Sequence, residues 1–100
     1  MTDLDFEGFD WDAGNSTKSH KKHGISQEAI EAFFANEPEI IEDPRHSSQE
    51  RRWLAVGRGE DQRWLIVAFT LRSKAGKKTL RPISARYMHA KEAKRHEKRH

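Results

Sequence analysis

The sequence predicts an α+β fold: a single small domain in which an antiparallel sheet is flanked by helices, in the order β-α-α-β-β-β-β-α. Three observations carry this. One hundred residues and 11.7 kDa leave room for one domain. Two apolar, β-branched and aromatic runs, Arg51–Arg58 (RRWLAVGR) and Arg63–Arg72 (RWLIVAFTLR), stand either side of Gly59-Glu60-Asp61, a hairpin signal. Helical patterning is confined to the first third of the chain and to its C-terminal end.

Residues 1–8 read as a flexible acidic arm, with the domain proper at 9–100. Phe9-Asp10-Trp11 alternates as a short strand does. Asp12 is placed to cap a helix from about Ala13 to His23, stopped by Gly24. That helix has almost no apolar stripe and therefore belongs on the surface. Ser26 caps a second helix, with Glu28 in its first turn and Ile25 and Ile30 positioned as a hydrophobic staple. Ala29, Ile30, Phe33 and Phe34 give it a buried face, and Pro38 lies beyond its end.

Glu39–Glu42 reads as a short strand, followed by the loop Asp43-Pro44-Arg45-His46-Ser47-Ser48. The run Arg63–Arg72 is apolar on both faces at its centre, as an inner strand must be. Ser73–Lys77 is the next turn and Lys78–Ala85 a further strand, whose Pro82 needs an edge, a bulge or an unpaired position. Residues 88–100 are basic, nearly devoid of apolar side chains and helical in composition.

Leu, Ile, Val and Phe together number 18, enough for one modest core because they are clustered and joined by three tryptophans. There is no cysteine, which excludes a disulfide framework and any thiolate nucleophile or metal site. The longest mostly apolar stretch, Trp64–Leu71, is too short to span a membrane, and the acidic N-terminus has no secretory apolar segment. A cytoplasmic protein without membrane association is expected. The net charge of +3 conceals a split: residues 1–50 hold 4 Lys/Arg against 12 Asp/Glu, and residues 51–100 hold 15 against 4. Such polarity points to a polyanionic partner for the basic half.

Three constellations could carry chemistry. His96-Glu97-Lys98-Arg99-His100 spells H-E-x-x-H, but its field is strongly positive and no third ligand follows it; the match is fortuitous. No metal site and no cofactor are expected. His20 and His23 lie on one side of the first helix among Lys18, Lys21 and Lys22. On spacing alone they are a solvated helix end that complements the helix dipole; the functional alternative is that His23 exchanges protons near neutrality. Arg51, Arg52, Arg58, Arg63, Arg72, Arg81 and Arg86 fall at strand ends or beside turns. They are edge guards or, if several converge, a cradle for phosphates. Arg52 and Arg58 share a face by period-two alternation, whereas Arg81 and Arg86 share one only if the strand bulges near Ser84. Trp53, Trp64 and Tyr87 are available for base stacking or for the core.

Trp11-Asp12, Gly14-Asn15, Lys18 and Lys22-His23-Gly24-Ile25-Ser26 resemble the opening of BrnT-type toxins, the ribonuclease partners in bacterial type II toxin–antitoxin pairs. The resemblance continues through Glu28-Ala29, Phe33-Phe34, Asp43-Pro44, His46-Ser47, Glu50-Arg51-Arg52, Val56-Gly57-Arg58 and Phe69-Thr70-Leu71-Arg72. It ends with Arg81, Ile83-Ser84-Ala85-Arg86, Met88, Lys91 and Glu92, and so covers roughly 9–92. Departures from the family pattern fall at Ser19, Pro82, Tyr87, Ala90, Ala93 and His96, and in a longer turn over Ser73–Lys78.

The resemblance implies a RelE-like fold and a metal-independent endoribonuclease that inhibits translation. It implies a cognate antitoxin of ribbon-helix-helix type, RNA as substrate, and operator DNA contacted only through the antitoxin. His23, Arg52, Arg81 and Arg86 are then the expected catalytic residues, with Lys18, Lys22, Arg58 and Arg72 holding the substrate backbone. The competing reading is a module that binds nucleic acid or antitoxin without catalysis.

Overall fold

The computed structural model describes residues 5–16, 18–43, 45 and 50–98, with the backbone alone at Lys18 and Ser19. Residues 1–4 of the expected arm, Pro44 and His46–Ser48 of the expected loop, and Arg99 and His100 of the expected last helix lie outside these. The element order is β1 (Gly8–Phe9), α1 (Lys18–His23), α2 (Gln27–Ala35), β2 (Glu39–Glu42), β3 (Arg52–Arg58), β4 (Trp64–Lys74), β5 (Lys77–Tyr87) and α3 (Ala90–Lys98). This is the α+β order read from the sequence.

One five-stranded sheet runs β1-β5-β4-β3-β2. Three of its four pairings are antiparallel, as expected, but β1 pairs with β5 in parallel, so the sheet is mixed. The reason is topological: β1 and β5 are far apart in sequence, and no hairpin constrains their direction. The sheet begins before the expected boundary. The Glu7 N–H donates to the Lys78 carbonyl, and Phe6 packs edge-on against Phe9 and Phe34.

β4 is the central strand and is covered on both faces, which accounts for its unbroken apolar run. Leu65, Val67 and Phe69 project to one side with Ala55 of β3 and Ala85 of β5, their register partners or neighbours. α2 lays Ile30, Phe33 and Phe34 on that side, with Phe34 set edge-on to Phe69 at 5.3 Å between centroids. α2 has the predicted start: Ser26 Oγ accepts from the Ala29 N–H, and the staple residues Ile25 and Ile30 are both buried.

Two boundaries differ from expectation. Residues 13–16 form a turn, so α1 begins at Lys18 instead of Ala13. Short local bonds take over there: the Gly14 N–H donates to Asp12 Oδ1, and the Asp12 N–H donates to Asn15 Oδ1. Asn15 is buried, and its amide donates to the carbonyls of Asp10 and Pro82, which clamps the turn onto β5. The expected Ser73–Lys77 turn is instead a two-residue turn, Ala75-Gly76, with φ of +50° and +77°. Both central residues thus have the positive φ of a type I′ hairpin, and β4 and β5 extend to meet it.

Candidate active site

The second face of the sheet carries the arginines. Arg52, Thr70 and Arg81 are register partners across β3, β4 and β5, and Val56, Ile66 and Arg86 form a second such row. Partners in register project to the same side. Five positions separate Arg81 from Arg86, which would put them on opposite faces of a regular strand. The register shifts between Ala68 and Phe69, where Ser84 pairs with one and Pro82 with the other, and the extra residue Ile83 restores the common face. Pro82 therefore sits beside a bulge, where its missing N–H costs no ladder bond. Arg52 and Arg58 share this face, as alternation predicted.

The site residues fall into two groupings, one on this face and one at the end of β5, where Tyr87 pairs with Leu65 and projects to the α2 side. Four residues of β4 separate the Thr70 row from the Ile66 row, roughly 13 Å at the usual strand rise. At the Thr70 row, Arg81 makes a bidentate pair with Asp12, at 2.9 and 3.1 Å, and lies 3.6 Å from Asp10. The Arg81 guanidinium, chiefly through its hydrogen bond, holds the Asp12 carboxyl below the usual range. Lys74 reaches Asp10 at 2.7 Å, and Arg72 forks onto Glu50. Arg58 lies over the Trp64 ring and donates to the Gln62 carbonyl.

The other grouping contains the histidine. His23, Arg63, Arg86, Tyr87, Met88 and His89 line one cavity of about 350 Å³. α1 delivers His23 at its last turn, where Gly24 in the left-handed region (φ +70°) donates its N–H to the His20 carbonyl and ends the helix. β5 delivers Arg86 and Tyr87 from its end. Of the expected catalytic set, His23 and Arg86 are brought together here, and Arg52 and Arg81 are placed in the more distant row. Lys22 is exposed on α1, and the Lys18 side chain lies outside the described residues.

Two members of this cavity stand outside the expected site residues: His89, and Arg63, which the sequence marks only as one of the seven strand-end arginines. The signal available was the β4–β5 register: the Met88 N–H donates to the Trp64 carbonyl, which sets residues 63 and 89 beside each other. Tyr87 donates its hydroxyl to Asp61, and burial first, then that bond, pushes its phenol up. It therefore stays protonated and serves as a surface, not a base. Arg63 lies flat over the Tyr87 ring, 3.6 Å from its centroid.

α3 closes one side of the arginine face. Glu92 takes both terminal nitrogens of Arg86, at 2.9 and 3.0 Å, and accepts the His89 N–H at 3.1 Å, completing half of a capping box. The Arg86 bond, then the His89 N–H, pulls the Glu92 carboxyl down to about 2. Trp64 is a support for α3 instead of a core residue: its Nε1 donates to Glu97 and its ring meets His96. His96 and Glu97 of the H-E-x-x-H run are thus spent on packing, and among the described residues no group of three or more His, Asp or Glu is assembled for a metal.

Among the described residues no helix is long and apolar enough to cross a membrane. No curated protein matches the chain. A family model described as ribonuclease toxin, BrnT, of type II toxin–antitoxin system matches residues 11–92, which include α1, the whole of β2–β5 and the His23–Arg86 cavity. The chain belongs to the BrnT family of ribonuclease toxins of type II toxin–antitoxin systems.

Proposed function

We propose that this chain is an endoribonuclease that cleaves RNA and inhibits translation with its own side chains as the reacting groups, and that the His23 cavity is its active site. One observation carries the reading: His23 and Arg86, from opposite ends of the chain, meet in one cavity. Cleavage requires the 2′-hydroxyl to attack the adjacent phosphorus. The P–O2′ bond forms, the P–O5′ bond breaks, and the products carry a 2′,3′-cyclic phosphate and a 5′-hydroxyl. One group must take the 2′ proton and another must supply a proton to the leaving 5′ oxygen. His23 and His89 line the same cavity and are the two candidates. Arg86 supplies donors for the charge that develops on the nonbridging oxygens.

Arg52 and Arg81 are proposed as phosphate contacts further along the strand, with Lys18, Lys22, Arg58 and Arg72 guiding the backbone. Phosphate oxygens compete with Asp12 for Arg81, with Glu50 for Arg72 and with Glu92 for Arg86, since carboxylate and phosphate present similar acceptor geometry. The antitoxin that a toxin of this class requires is proposed to be of ribbon-helix-helix type and to make the contacts to operator DNA.

Incubating the full chain with end-labelled RNA in EDTA tests the activity. New ends bearing cyclic phosphate are expected, and His23→Ala or Arg86→Ala lowers their rate by about 10²–10³. The same substitutions restore growth of cells expressing the chain without antitoxin. Binding without new ends overturns the enzymatic reading in favour of a non-catalytic module, and an unimpaired His23→Ala overturns the site.

A further inference from the structure

We infer that Arg63 reads a nucleobase, with guanine preferred, at the mouth of the His23 cavity. This rests on the proposed RNA-cleaving site and names what lies beside the scissile phosphate.

Most of the arginine forks on and around the sheet are engaged. Arg51, Arg58, Arg72, Arg81 and Arg86 each place donors on a protein oxygen: Glu42, the Gln62 carbonyl, Glu50, Asp12 and Glu92. Arg63 differs. Its guanidinium is stacked on Tyr87 and meets no carboxylate or carbonyl among the described residues. The stack is itself braced, because Asp61 accepts the Tyr87 hydroxyl and the Arg63 backbone N–H. A planar donor fork is therefore held in one orientation, with one face on an aromatic ring and its edge unspent. It lines the same cavity as His23 and Arg86.

Arginine held in this way recognises acceptors in pairs. Guanine offers two adjacent acceptors, O6 and N7, and a bidentate arginine on that edge is the commonest specific base contact. Adenine and cytosine each present an amino donor that needs an acceptor, and no acidic side chain is among the residues lining this cavity. Uracil offers no such pair. A base held on the Arg63 edge lies in the plane of the guanidinium, inside the cavity that Arg86 also lines.

The test uses the full chain and four probes: the 5′-monophosphates of guanosine, adenosine, cytidine and uridine, titrated by chemical-shift change. Guanosine monophosphate is expected to bind about tenfold tighter than the others. Arg63→Lys, which keeps the charge and loses the fork, should bring all four to one affinity with the fold unchanged. Equal affinities in the wild-type protein, or a guanine preference that survives in Arg63→Lys, overturn the inference. RNA end mapping adds a second readout, with guanosine expected beside the cut and lost in Arg63→Lys. Cleavage indifferent to guanosine also overturns the inference. A guanine preference in binding without any cleavage supports base reading while sinking the ribonuclease assignment.

Discussion

Glu92→Gln probes the junction between the candidate active site and α3. Glu92 is the carboxylate in the Arg86 fork and also the acceptor for the His89 N–H at the start of α3. Its carboxyl lies at about 2 in place of 4.5. Taken at face value that displacement corresponds to roughly 3.4 kcal/mol. The side chains of Arg86 and Glu92 are 42% and 37% exposed, however, so solvent screens most of it. An exposed pair of this kind is worth about 1 kcal/mol at most. In a domain of this size, 1 kcal/mol moves Tm by about 4–8 °C. The folded carboxyl lies below its unfolded value, so the contribution is complete above pH 4.5 and is lost as pH falls toward 2. Thermal unfolding followed by circular dichroism should therefore show Glu92→Gln melting lower at pH 7, by no more than about 4–8 °C, with the gap closing as pH approaches 2. The same variant frees Arg86, and its RNA affinity at low salt should rise. Equal melting at pH 7, or a gap that widens in acid, would refute the reasoning.

Two further outcomes test how the site is positioned. Asn15→Ala removes both donors to the buried carbonyls of Asp10 and Pro82, and should cost about 1–3 kcal/mol in denaturant unfolding. A loss below 0.5 kcal/mol would mean that water replaces the amide at little cost. Ala75→Asn should stabilise the hairpin by about 0.5–1 kcal/mol, because Ala75 holds φ +50° where asparagine is tolerated and Asn-Gly is the favoured type I′ pair. A lower denaturation midpoint for Ala75→Asn would show that the left-handed φ at Ala75 does not favour asparagine over alanine.

The sequence made most of the fold legible because its signals were local. The Ser26 cap, the Ile25–Ile30 staple and Pro38 bracket α2 within a few residues, and period-two alternation places Arg52 and Arg58 on one face. β4 declares itself central by being apolar on both sides. The parallel β1–β5 pairing was not legible, since nothing local to Gly8–Phe9 sets its direction. α1 was overextended because Asp12, read as a cap, turns its carboxylate to Gly14 and Arg81. Of the site, His23 and Arg86 were legible as residue types in a suggestive context. Their proximity to each other, and to Arg63 and His89, depends on register.

The opposed charges of the two halves were determined by sequence alone, as were the absence of cysteine and the content of the core. Only the tertiary structure decided what those charges do. Asp10, Asp12, Glu42 and Glu50 of the acidic half fold onto Lys74, Arg81, Arg51 and Arg72 of the basic half. Charge composition is additive along a chain, whereas fork pairing requires two side chains to meet at about 3 Å. That meeting is set by strand register and by the bulge at Ile83. The fold thus pairs four cations of the basic half with the acidic half and, among the described residues, leaves the Arg63 fork open beside His23 and Arg86.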